Sequence, residues 1–227
     1  NDTLSFAPYT STRNFALMSL GGVDGFNGTV NGIASGFNNI NAIVGGTAVD
    51  TLTGLNADST WNISGTMSGN YVSTNLALSA AEGTLAFSQV DTLNGGSAVD
   101  LLSYSAFNTS VTVNLSTNTA TGFTSVFGMN NITGGSANDS LTGDDANNVI
   151  TGNGDSDTMT GLGGDDTYIF ANGFGANDTI VEAASGGNDT LDFSSVTANL
   201  TFTLGSGTVT DGTNNTTHSQ SNVENLI

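Results

Sequence analysis

Between residues 134 and 169 the chain repeats every nine residues, and each unit places an oxygen ligand in the same slot. The units are GGSANDSLT (134–142), GDDANNVIT (143–151), GNGDSDTMT (152–160) and GLGGDDTYI (161–169). Asp139, Asn148, Asp157 and Asp166 stand sixth, and Leu141, Ile150, Met159 and Tyr168 stand eighth. Early glycines, supplemented by Asn and Asp, permit the positive φ of a tight turn; the sixth side chain faces a cation; the eighth enters a core from a short strand. Carboxylate, amide and carbonyl oxygens are hard ligands suited to Ca2+. Zinc and soft transition metals favour Cys and His, and this chain has no Cys and one His.

The charge balance makes the same demand. Twenty acids face a single base, Arg13, for a net charge of −19 over 227 residues, and eleven of the acids lie between Asp139 and Asp192. So acidic a surface repels nucleic acid and anionic membranes, and no apolar run is long enough to span a bilayer. High net charge is also a mark of disorder. Against that, 37% of residues are hydrophobic, including twelve Phe, which is enough for a core. With one arginine available for ion pairs, the neutralising charge is expected from solution.

A longer repeat frames the short one. GGTAVDTL (45–52), GGSAVDLL (95–102), GGSANDSL (134–141) and GGNDTL (186–191) share a glycine pair, an aspartate and a leucine, and the chain begins NDTL. The aligned aspartates are Asp2, Asp50, Asp100, Asp139 and Asp189. INAIVGG, VDTLNGG and MNNITGG precede the glycine pairs, and VENLI at 223–227 matches this element up to the glycines. The expectation is a whole number of repeats from a longer array, continuing head to tail into neighbouring repeats or identical subunits. No signal-peptide pattern opens the sequence, as expected of a mature product or excised piece.

Between the glycine turns apolar residues alternate with period two. Val111, Val113 and Leu115 are expected on one face, as are Leu200, Phe202 and Leu204; WNISG (61–65) reads likewise, with Trp61 and Ile63 in the core. One short turn of helix fits 76–87. The fold class is all-β, a parallel β-roll or solenoid with hairpin-like insertions. Three segments are expected: long-period repeats (1–133), the nonapeptide roll (134–169) and a further calcium-type turn and hairpin repeat (170–227).

The nonapeptides resemble the RTX calcium-binding repeat, G-G-x-G-x-D-x-U-x, in four consecutive units. The flanking repeats are similar to units of large bacterial adhesins and surface-layer proteins. The resemblance implies a roll in which turns on one edge recur every 18 residues. It pairs Asp139 with Asp157 and Asn148 with Asp166 around calcium ions, with Asp178 and Asp189 as further ligands where GFGANDTI and GGNDTL extend the motif. Asp144, Asp145, Asp155 and Asp165 are read first as solvated turn residues, with ligation as the alternative. The fourth position departs from the pattern at Ala137, Ala146 and Asp155, and Asn148 offers an uncharged oxygen.

Enzyme chemistry finds little to work with. His218 has Ser219 and Asp211 nearby in sequence, but nothing resembles a nucleophile elbow, and a lyase base would fall to Arg13 alone. No enzyme activity is expected. The resemblance implies an extracellular, cell-surface structural module, exported through a type I channel and folding as calcium binds outside the cell. The alternative is an accessory calcium-binding or carbohydrate-binding module of a secreted RTX-like enzyme or toxin, with cell-surface polysaccharide as partner.

Overall fold

A computed structural model describes residues 1–73, 83–183, 186–203, 206–218 and 223–227. Those residues are all-β, a succession of short strands with no helix among them and so none to cross a membrane. The chain forms two compact units, residues 1–103 with 118–129, and residues 104–117 with 130–227. The nonapeptide turns and most of the 170–227 segment thus belong to one unit.

In the second unit two parallel stacks alternate along the chain. One contains Asn131–Thr133, Val149–Thr151, Thr167–Ala171, Thr190–Ser195 and Asn225–Leu226, in register through Ile132, Ile150, Tyr168, Leu191 and Leu226. The other contains Thr112–Asn114, Ser140–Thr142, Thr158–Thr160, Asp178–Val181 and Asn215–His218. Val113, Leu141, Met159 and Ile180 align along it. Two nine-residue units therefore make one coil, and a three-residue strand suffices because only its middle side chain points inward. Leu141, Ile150, Met159 and Tyr168 are fully buried, as their eighth position requires.

Asn215–His218 leaves the parallel pattern and continues antiparallel into Thr208–Thr210 and then Thr201–Thr203. Phe202 was expected to face inward, yet it is 43% exposed. Among the described residues its strand is an outer hairpin arm at the edge of its sheet, paired only with Thr208–Thr210. Leu204 lies outside the described residues. Phe170 and Phe193 stack at 4.4 Å between centroids, with Phe174 edge-on to both.

The first unit uses the same coil with larger insertions. Thr3–Ser5, Ala42–Val44 and Thr84–Ser88 run parallel, as do Asn14–Leu20, Thr51–Thr53, Thr92–Asn94 and Ser125–Phe127. Antiparallel excursions at Phe26–Val30 with Ile33–Ile40, and at Ser59–Gly65 with Ser68–Ser73, account for the longer period. Trp61 is fully buried against Tyr71 and Phe87, at 4.7 and 5.9 Å between centroids. The helical turn expected at 76–87 falls in part outside the described residues, while Thr84–Ser88 is strand. Arg13 lies over the rings of Phe6 and Tyr9, 5.0 and 4.8 Å from their centroids.

Replacing Met159 by Ala should lower unfolding free energy by roughly 2–5 kcal/mol, whereas the same change at its exposed neighbour Thr158 should stay within about 0.5 kcal/mol. Urea denaturation in calcium would show equal losses if Met159 did not face a packed interior.

Candidate metal centre

The sixth side chains hold successive coils together. In one column the Val111 N–H donates to Asp139 Oδ1 (2.8 Å), the Asp139 N–H to Asp157 Oδ1 (2.8 Å) and the Asp157 N–H to Asp178 Oδ1 (2.9 Å). In the other, the Asn148 N–H donates to Asp166 Oδ1 (2.7 Å), the Asp166 N–H to Asp189 Oδ1 (3.0 Å) and the Asp189 N–H to Glu224 Oε2 (2.9 Å). The structure thus aligns Asp139 with Asp157, and Asn148 with Asp166, and extends the columns to Asp178 and Asp189. A similar arrangement in the first unit joins Arg13 N–H to Asp50 Oδ1 and Asp50 N–H to Asp91 Oδ2.

The remaining oxygen of each sixth side chain has one of two fates. Asp139 Oδ2 accepts the Gly135 N–H (2.5 Å), and Asp50 Oδ2 accepts the Gly46 N–H. Asn148 closes its turn through Oδ1, which accepts the Asp144 N–H (2.8 Å), while its Nδ2 donates to the Asn130 carbonyl (2.7 Å). These turns are closed by their own backbone. By contrast, Oδ2 of Asp157, Asp166 and Asp178 is buried with no hydrogen-bond partner, and each of these residues is 1% exposed.

Backbone conformation separates the two classes. In the open turns of Asp157 and Asp166 the second and fourth residues take positive φ: Asn153 (76°), Asp155 (67°), Leu162 (81°) and Gly164 (98°). The turn before Asp178 takes positive φ at different positions, its first and third, through Gly173 and Gly175. No residue of the turns 45–50, 134–139 or 143–148 does so, and their fourth residues are Ala48, Ala137 and Ala146. A Cβ disfavours the left-handed region by about 1–2 kcal/mol, a cost that Asn, Asp and Gly largely avoid.

One open turn meets further acids. Asp166, Glu182 and Asp189 are all buried and bring one carboxylate oxygen each within 4.8 Å of the others. Oxygens bound to one cation at 2.3–2.6 Å can lie up to about 5 Å apart, so the cluster has the dimensions of a shared metal shell. The Tyr168 hydroxyl donates to Glu182 Oε1. A Cβ on Gly161 would stand 2.7 Å from that hydroxyl, 2.5 Å from Glu182 Oε1 and in conflict with Asp166 Oδ2, so only glycine leaves these oxygens room to converge. This buried acidic cluster could hold a metal ion.

Without a cation the cluster is electrostatically costly. Two like charges under 5 Å apart repel by about 3 kcal/mol even at an effective dielectric of 20. Burial, opposed by the Asn148 N–H and reinforced by the charges of Asp189, Asp144 and Asp165, pushes Asp166 up to about 7. Burial likewise pushes Asp178 to about 8, Glu182 to about 7 and Asp157 to about 6. Asp139 and Asp189 are also raised, chiefly by burial.

Asp145, Asp155 and Asp165 are exposed and Asp144 is half-buried, with Asp144 and Asp165 accepting nearby backbone N–H groups. Sequence reasoning passed over Glu182 and Glu224. The signal for Glu182 was the spacing: Asp166 and Asp189 are 23 residues apart rather than 18, and the added length carries an acid. Asp211 closes its own turn onto the Thr213 and Asn214 N–H groups, and Ser219 lies outside the described residues. Searches of protein-family models and of curated proteins find no match to this sequence.

In metal-free protein the raised carboxyls keep protons in the folded state that the unfolded chain has already released. Folded protein therefore binds more protons between about pH 4 and 8, and its stability falls as pH rises through that window. Calorimetry in chelator should show a higher Tm near pH 5 than near pH 8; a Tm rising with pH would contradict the burial of unneutralised acids.

Proposed function

We propose that this chain is an extracellular calcium-binding structural module of a bacterial surface filament, surface layer or giant adhesin, which folds and stiffens as calcium enters its turns. The carrying observation is the set of buried, unpartnered Oδ2 atoms on Asp157, Asp166 and Asp178. An oxygen-only environment selects a hard cation, and the variable coordination of calcium suits ligands drawn from successive coils. The resemblance of the nonapeptides to the RTX repeat supports the same reading.

Folding and binding are one process in this scheme. Where calcium is scarce, carboxylates that must be buried repel one another and keep the chain loose, a state suited to export. Outside the cell, calcium replaces the missing lysines, and each completed coil presents its strand edges to the next. The product is a spacer whose stiffness depends on the metal. Trp61 is fully buried and offers no face to a sugar ring, so the carbohydrate-binding reading lacks its obvious platform.

Calcium at one hundred times its dissociation constant stabilises by about 2.7 kcal/mol per site. For a chain of this size that raises Tm by roughly 5–10 °C for each site filled. Circular dichroism melts in excess chelator and in calcium should differ by at least that amount, with magnesium less effective; superimposable melts would remove the calcium reading. Electron microscopy in the two conditions tests assembly, with calcium-dependent filaments expected and monomers in both opposing it.

A further inference from the structure

We infer that Glu182, a residue outside the nine-residue motif, is the third carboxylate ligand of a cation held by Asp166 and Asp189, and that the turns of Asp139 and Asn148 take no cation. The inference rests on the calcium reading above and assigns its sites.

In a regular roll a cation between two turns on one edge draws on both sixth side chains. Along this column that would join Asn148 to Asp166. Asn148, however, carries no charge and already engages both amide atoms, Oδ1 accepting the Asp144 N–H of its own turn and Nδ2 donating to the Asn130 carbonyl of the preceding coil. Asp166 Oδ2 and Glu182 Oε1 both crowd the space beside Gly161, and Asp166 brings a carboxylate oxygen within 4.8 Å of Glu182 and Asp189. It is buried and without a hydrogen-bond partner, which marks a ligand position beyond the clustering of acids itself.

The chain is built to bring Glu182 there. The strand Asp178–Val181 ends immediately before it, and Asp178 and Asp189 are 11 residues apart where the repeat has nine, so Glu182 falls in the added length. Glu182 is 8% exposed although it belongs to no repeat position, and the Tyr168 hydroxyl orients it from the facing strand. Tyr168 replaces the aliphatic residue of the other units, so its hydroxyl serves a purpose that Leu141, Ile150 and Met159 do not share. The Leu162 carbonyl adds a neutral oxygen nearby: a Cβ on Gly186 would stand 2.9 Å from it and 3.3 Å from Glu182 Oε2. Three carboxylates and a carbonyl are a calcium-type donor set.

Asp139 provides the internal contrast. Each of its oxygens already accepts a backbone N–H, from Val111 and from Gly135, so a cation there would compete with the bond that closes the turn. Its carboxylate is a turn closure, and an amide at this position should leave the cation count intact.

The test is isothermal titration calorimetry of the whole chain, stripped of metal and titrated with calcium chloride, for wild type, Glu182→Gln and Asp139→Asn. Glu182→Gln should lose one ion, or weaken its tightest site by roughly tenfold or more, while Asp139→Asn keeps the wild-type number and affinity of ions. Unchanged binding in Glu182→Gln, or an ion lost in Asp139→Asn, overturns the assignment while leaving calcium binding standing. No binding by wild type removes the underlying reading instead. Terbium luminescence excited through tyrosine gives a second readout: Tyr168→Phe should lose most of the emission while still binding terbium, and full emission from that variant would place the ion elsewhere.

Discussion

The structure is organised around burying carboxylates in a chain with almost no positive charge. Each sixth-position oxygen that bonds the N–H of the preceding coil ties two coils together, as Asp157 does for Asp139 and Asp189 does for Asp166. The same bond draws the acid out of water and toward its counterparts in the column. Closed turns satisfy their second oxygen from their own backbone, whereas open turns leave it buried without a hydrogen bond. A net charge of −19 is therefore a consequence of architecture as well as a means of solubility.

This division connects local conformation to function. Ala137 and Ala146 keep their turns out of the left-handed region, and the second-residue N–H closes on the sixth side chain. Asp155 and Gly164 adopt positive φ, and Asp157 and Asp166 are left with a free oxygen. Within the four nine-residue units, the fourth residue thus separates a turn closed by its own backbone from one that leaves a buried carboxylate oxygen without a hydrogen bond. Leu162, held at a φ of 81° despite its bulk, is the clearest case of backbone strain at the candidate site.

Much of the fold was legible because its signals are local and periodic. The eighth-position residues from Leu141 to Tyr168 are buried as their spacing demands, and Trp61 with Ile63 lies in the core as the alternation in WNISG requires. Phe202 escaped the same logic, because alternation assigns a face without showing whether another layer covers it. The pairs Asp139 with Asp157 and Asn148 with Asp166 were implied by the resemblance to the nine-residue repeat, but the columns to which Asp178 and Asp189 belong, 21 and 23 residues on, and the fate of each second oxygen were not. That fate depends on turn φ values and on hydrogen bonds between residues many positions apart. Glu182 was hidden for a related reason: it belongs to an insertion, and only the fold brings it beside Asp166 and Asp189.

The most direct measurement is anomalous diffraction from crystals grown in calcium and in a lanthanide. The expected result is a peak bounded by Asp166, Glu182 and Asp189, with none at the closed turns of Asp139 and Asn148. Well-ordered crystals at saturating metal, with no peak among the buried carboxylates of Asp157, Asp166, Asp178 and Asp189, would contradict the role given to the cation.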